Sequence, residues 1–252
     1  MSAPRVQAPL HRAPFDPAAA FPRLLVSVRD ADEADLSTRA GADLVDAKDP
    51  ARGALGGLPS DAVRAIVERV ERRAPTSAVA GEAEAASGLL PGIAAMAGTG
   101  VDYVKVAVRD VWSRENLAAL AAAAPGRLIA VLFAETMPVT QGAADLVSRL
   151  ARAGFLGAMI DTAGKDGRRL TDHLPPEALA AFTRTCRSQG LLSGLAGSLA
   201  LADIAALAPL GAHYLGFRGG LCEAGDRRRG LESGRVMEAV RALRAHARRD
   251  AA

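Results

Sequence analysis

At 252 residues, half of them hydrophobic and only 4% aromatic, the chain suits one large α/β domain with a core of Ala, Leu, Val and Ile. Its formal charge of +3 collects in arginine-rich helices and in the tail around Arg241, Arg244, Arg248 and Arg249, without the interleaved aromatics of base-stacking proteins, so no nucleic-acid partner is expected. Two cysteines without CxxC spacing, four scattered histidines, no apolar run of roughly 18 to 20 residues and no signal-like leader exclude a disulfide framework, a patterned metal centre, a spanning helix and export, leaving a cytoplasmic protein with no membrane partner.

Residues 1–20 read as a flexible extension ahead of a catalytic domain over 21–252. The first strand is expected at Arg23–Val28 (RLLVSV), followed by a helix over 31–40. Strands over 43–47, 76–80 and 102–108 then alternate with helices over 60–72, 87–100 and 114–124. The second half continues the pattern with strands over 128–134, Gly157–Asp161, 191–195 and 213–217, and helices over 143–152, 176–189, 201–208 and 233–247. Ser60 and Asp203 serve as start signals, and Gly41, Gly154, Gly190 and Gly211 sit just past helix ends. Near-continuous apolar strands are those buried on both faces, and strict alternation with helices makes the sheet parallel. An open doubly wound sheet is the rival, but the turn after the first strand, Arg-Asp-Ala-Asp, lacks its glycine fingerprint. The expected fold is a single (β/α)8 TIM barrel.

In such a barrel the chemistry sits at the strand C-terminal ends. Strand 2 ends in Asp46, Lys48 and Asp49; strand 4 carries Lys105 amid apolar residues; strand 6 ends at Asp161 and runs on to Lys165. A lysine inside a closed barrel must be paired with a carboxylate or be held partly deprotonated. Lysines and carboxylates converging on one mouth fit carbonyl activation through an imine, with no metal and no cofactor. Glycine clusters follow the seventh and eighth strands: Gly197 and Ser198, then Gly216, Arg218, Gly219 and Gly220. Barrels often bind phosphate there, and Arg218 could add a bidentate contact. The following loop carries Asp226 and Arg227, which could close the site, although the triplet Arg227–Arg229 reads mainly as solvated. Glu135 follows strand 5 and is expected to shape the pocket; His213, at a strand start, is expected to be structural, and Trp112 to pack.

Several segments in order carry a resemblance: LLVSV at 24–28, GADLVDAKDPARGALG at 41–56, DYVKVAV at 102–108, MIDTAGKDG at 159–167, LAGSL at 195–199 and GFRGGLCEAGDRRRG at 216–230. Together they resemble the (5-formylfuran-3-yl)methyl phosphate synthase family of methanofuran-type cofactor biosynthesis. The resemblance implies a (β/α)8 lyase that joins two glyceraldehyde 3-phosphate molecules with loss of phosphate and water. It implies Lys48 as the Schiff-base lysine and Lys105 as the acid–base lysine. Asp46, Asp161 and Lys165 fall in its remaining active-site motifs, and Gly197, Ser198, Arg218 and Gly219 in its phosphate-binding segments. A phosphorylated aldehyde is the expected small-molecule partner, and a homo-oligomer the expected assembly. A class I aldolase or isomerase acting on a triose phosphate would use the same residues; a non-catalytic basic binding protein is the reading of a different class.

Overall fold

The computed structural model describes residues 22–137, 141–164 and 167–250, so the expected extension over 1–20 lies outside the described residues. The described strands are β1 (Arg23–Val28), β2 (Leu44–Ala47), β3 (Thr76–Gly81), β4 (Tyr103–Ala107), β5 (Leu128–Phe133), β6 (Gly157–Asp161), β7 (Leu192–Leu195) and β8 (Tyr214–Phe217). Each pairs in parallel with its sequence neighbour, and β8 closes on β1 through the register Arg23↔Tyr214 to Val26↔Phe217. That last pairing makes a closed (β/α)8 barrel and removes the open-sheet rival.

Alternation along each strand sorts side chains into two layers. In β4, Val104 and Val106 join the outer core between barrel and helices, while Tyr103 and Ala107 join the plug inside the barrel. Leu25, Leu44, Val79, Ile129, Val131, Met159 and Tyr214 from the other strands join that plug. At its lower end His213 is buried, and its Nδ1 accepts a hydrogen bond of 2.9 Å from the Ser193 N–H. This is the structural position its place at a strand start predicts. Trp112 is likewise buried in the outer core.

The helices are α1 (Ala31–Arg39), α2 (Ser60–Val70), α3 (Leu90–Ala97), α4 (Arg114–Ala123), α5 (Gln141–Ala153), α6 (Leu170–His173), α7 (Pro176–Ser188), α8 (Ile204–Leu207) and α9 (Ser233–Asp250). Asp30 caps α1 by accepting from the Glu33 N–H at 2.9 Å, and Ser113 with Asn116 forms a capping box on α4. Ser60 departs from its expected role: it is the first helical residue of α2, Pro59 precedes it, and no side chain caps that end. The helix expected over 87–100 starts as a 3-10 turn, Ala86–Leu89, because Pro91 belongs to the first turn of α3 and fixes where the α-helix begins. The helix expected over 201–208 is a single α turn between 3-10 turns at Leu201–Asp203 and Ala208–Leu210. The short α6, on the path from β6 to α7, has no counterpart in the expected elements. Among the described residues no helix is long and apolar enough to cross a membrane.

Candidate active site

The same alternation lifts polar residues onto the upper layer of the barrel interior. On β2, Leu44 points into the plug, so Asp46 does too, one step nearer the mouth. The Asp46 carboxylate is fully buried and accepts from Ser27 Oγ at 3.1 Å and Ser77 Oγ at 2.6 Å. Its third partner is Lys105 Nζ at 2.6 Å. Three donors from β1, β3 and β4 compensate the carboxylate for its lost water. Lys105 is itself buried, and burial pulls its ammonium below the usual lysine pKa. Asp46 opposes that shift, nearby Lys48 adds to it, and Asp161 again opposes it. Lys105 is thus ion-paired, and burial works against its charged form.

Lys48 lies just past the end of β2, and its Nζ stands 3.3 Å from Asp161 Oδ2 across the barrel mouth. Asp161 is fixed in turn by the Thr162 N–H, which donates to Oδ1 at 2.8 Å. Lys48, Lys105 and Asp161 line one cavity of about 410 Å³, within the usual range for small-molecule pockets. Lys165 and Asp166 lie outside the described residues. The loop leading to them is held by Glu135, whose carboxylate accepts from the Ala163 N–H at 3.0 Å and the Gly164 N–H at 2.8 Å. Burial would raise the Glu135 carboxyl, but backbone N–H donors, those of Ala163 and Gly164 first, together with nearby His173 leave the group below its ordinary pKa.

The rim of the cavity is formed by the loops after β7 and β8, including Gly197, Ser198, Gly219 and Gly220, while Gly216, expected among them, lies within β8 and lines the cavity from the strand. Gly197 and Ser198 both have positive φ, 121° and 50°. A Cβ on Gly197 would stand 2.8 Å from Thr162 Cγ2, and one on Gly220 would run into the Leu199 carbonyl. Glycine is thus required at these two positions apart from any ligand, at Gly197 by its positive φ and the close approach of Thr162, and at Gly220 by the Leu199 carbonyl. Among the described residues, the N–H groups of Leu199, Gly219 and Gly220 donate to no protein acceptor.

Arg218 lines the cavity, but its bidentate partner is Glu33 of α1. Its Nε donates to the Arg227 carbonyl at 2.9 Å, and its remaining N–H groups to the carbonyls of Ser27 and Arg229 at 3.2 and 3.0 Å. All five donors are engaged. Of the arginine triplet, Arg228 and Arg229 are exposed and pair with Asp226 and Glu223, as a solvated run should. Arg227 breaks from them: it is half-buried and turns into the cavity wall. The loop position of Arg227 suggests that it could close the site, whereas the triplet as a whole reads as solvated; folding separates Arg227 from its two neighbours.

Comparison with known proteins follows the same lines. The model of the 4-HFC-P synthase family matches residues 24–240. The chain belongs to this family. A (5-formylfuran-3-yl)methyl phosphate synthase from Methanopyrus kandleri is 35% identical over 88% of this chain and 99% of its own length. A protein of Methylorubrum extorquens bearing that synthase name on a provisional footing is 57% identical over 92% of this chain and 96% of its own. Among solved structures, N-(5'-phosphoribosyl)anthranilate isomerase from Pyrococcus furiosus superposes with a TM-score of 0.61 at 13% identity, covering 89% of this chain and 99% of that one. Thiamine phosphate pyrophosphorylase from the same organism gives 0.61 at 8% identity, over 90% and 97%. These two establish the family's barrel fold and nothing finer.

Proposed function

We propose that the chain is a (5-formylfuran-3-yl)methyl phosphate synthase that condenses two molecules of glyceraldehyde 3-phosphate through an imine on Lys48. The observation that carries this reading is the set of paired lysines on one cavity: Lys48 with Asp161 at 3.3 Å, and Lys105 with Asp46 at 2.6 Å. The Lys48 amine adds to the aldehyde carbon and water leaves, giving an imine. Protonation of the imine nitrogen makes the neighbouring C–H acidic. Loss of that proton yields an enamine, which either expels phosphate from the next carbon or adds to the aldehyde of the second substrate. Lys105 is suited to take the proton because burial favours its neutral form. Asp161 sits where it can orient the Lys48 amine and accept a proton from it. The carboxylates, the lysines and the rim N–H groups of Leu199, Gly219 and Gly220 suit a substrate with a carbonyl at one end and phosphate at the other.

The test is incubation of the purified protein with glyceraldehyde 3-phosphate, following near-ultraviolet absorbance and phosphate release beside Lys48→Arg. A furan band with released phosphate, both absent from the variant, is the expected result. A borohydride-trapped lysine adduct without furan would replace this reading by a class I aldolase or isomerase. The absence of both signals would end the imine reading altogether.

A further inference from the structure

The rim holds three arginines, Arg169, Arg218 and Arg227, and their partners set them apart. Arg169 pairs with the Asp203 carboxylate at 3.1 Å. Arg218 spends all five donors on Glu33 and on the carbonyls of Ser27, Arg227 and Arg229. To bind an anion Arg218 would first have to give up a carboxylate, and Arg169 already has its charge matched by one. Arg227 pairs with no carboxylate among the described residues, and its Nη2 donates to the Gly53 carbonyl at 2.7 Å. Its Nε is buried and has no partner. A buried guanidinium N–H without an acceptor is costly to leave so, and marks a place where an acceptor belongs. The same cavity wall holds Lys48 and Asp161, and a Cβ on Gly219 would stand 3.6 Å from Arg227 Cβ. Arg227 therefore lines the same cavity as the Lys48 amine and packs beside Gly219 of the rim.

We propose that Arg227, rather than Arg218, is the side chain that binds the phosphate group of the substrate. Arg218 is a positioning residue: Glu33 holds its guanidinium, and its Nε holds the Arg227 carbonyl. A guanidinium suits the task because its planar fork matches two phosphate oxygens, and the free Nε with the adjacent Nη supplies such a fork. The assignment rests on the reading of Lys48 as the imine lysine only for what lies at the other end of the substrate. The anion site itself can be read without any covalent chemistry.

The experiment has two parts, on the full chain. Calorimetric titration with inorganic phosphate is compared for the unsubstituted protein, Arg227→Gln and Arg227→Lys. Borohydride trapping is then compared for glyceraldehyde 3-phosphate and unphosphorylated glyceraldehyde. The expected result is that Arg227→Gln weakens phosphate binding about tenfold or more and raises the glyceraldehyde 3-phosphate concentration needed for trapping by a similar factor. Trapping of glyceraldehyde stays unchanged, and Arg227→Lys recovers part of the loss. Phosphate binding that is equal in Arg227→Gln, or absent from the unsubstituted protein, overturns the assignment. So does an equal loss of trapping for both aldehydes, which marks a merely structural residue. If neither aldehyde is trapped by the unsubstituted protein, the Lys48 reading fails and the phosphate titration alone decides Arg227.

Discussion

Lys48, just past β2, and Lys105, on β4, face one cavity from different surroundings, and Lys105 shows what those surroundings do. Burial lowers its pKa while Asp46 raises it, so the carboxylate sets how much neutral amine is present. If neutral Lys105 takes the substrate proton, the rate rises with pH through the Lys105 pKa. Asp46→Asn removes the opposing charge and lets that pKa fall further. The acid limb of the kcat–pH profile then moves to lower pH, together with a loss of kcat from the altered pairing. A limb that stays in place would show that another group governs it. The same pair yields a stability prediction. Lys105→Met leaves the fully buried Asp46 carboxylate without its cation and is expected to cost about 3–5 kcal/mol in urea unfolding. Replacing both, Lys105→Met with Asp46→Leu, should recover most of that loss while leaving the protein inactive. Equal destabilisation by the single and double replacements would mean that the charge pairing is not what the single change disturbs.

At the scale of elements, the loops do most of the positioning, and loops are where sequence reasoning fell shortest. The strands were legible because most are largely apolar and all alternate with helical stretches, and β1 and β6 have the expected bounds. The helical stretch after β7 was legible as helix but not as α8 flanked by 3-10 turns; Pro209 lies in the second of these turns and denies the helix an N–H. The glycines of the β7 and β8 loops were legible as a cluster, while the reason for Gly220 was not, since it depends on the Leu199 carbonyl of the neighbouring loop. Gly220→Ala should drive these loops apart, lowering stability by about 1–3 kcal/mol and activity with it. Unchanged thermal unfolding would show that the loops can yield at no cost. Glu135 acts similarly on the β6 loop: Glu135→Ala frees the Ala163 and Gly164 N–H groups and should lower kcat more than overall stability, because the loop carries Lys165 onward from there. A matched loss of both would assign Glu135 to the fold instead.

Over the whole molecule, closure of β8 on β1 divides labour between two ends of one barrel: the lysine–carboxylate pairs lie at one, and His213 with Ser193 at the other. That division was readable from strand ends alone, since the position of a residue within its strand tells which end it serves. What could not be read was partnership across the chain, such as Arg218 with Glu33, which are 185 positions apart and meet only because closure brings α1 beside the β8 loop. The stability end makes its own prediction. Burial, aided by Arg187 and Arg23, holds the His213 pKa below its ordinary 6.5. Its Nδ1 accepts the Ser193 N–H, so a proton there would face a donor rather than an acceptor. The unfolded chain takes up that proton as pH falls through 6.5, and the folded chain resists until lower pH. Folding stability from this group is therefore complete above 6.5 and declines as pH drops toward the folded value. His213→Gln keeps an acceptor for Ser193 and cannot titrate. Denaturant unfolding at about pH 7.5 and about pH 5.5 should show a smaller drop in stability for the variant than for the unsubstituted protein, even if the variant is weaker at both. Equal drops would place the acid sensitivity of the barrel elsewhere and leave His213 as a packing residue alone.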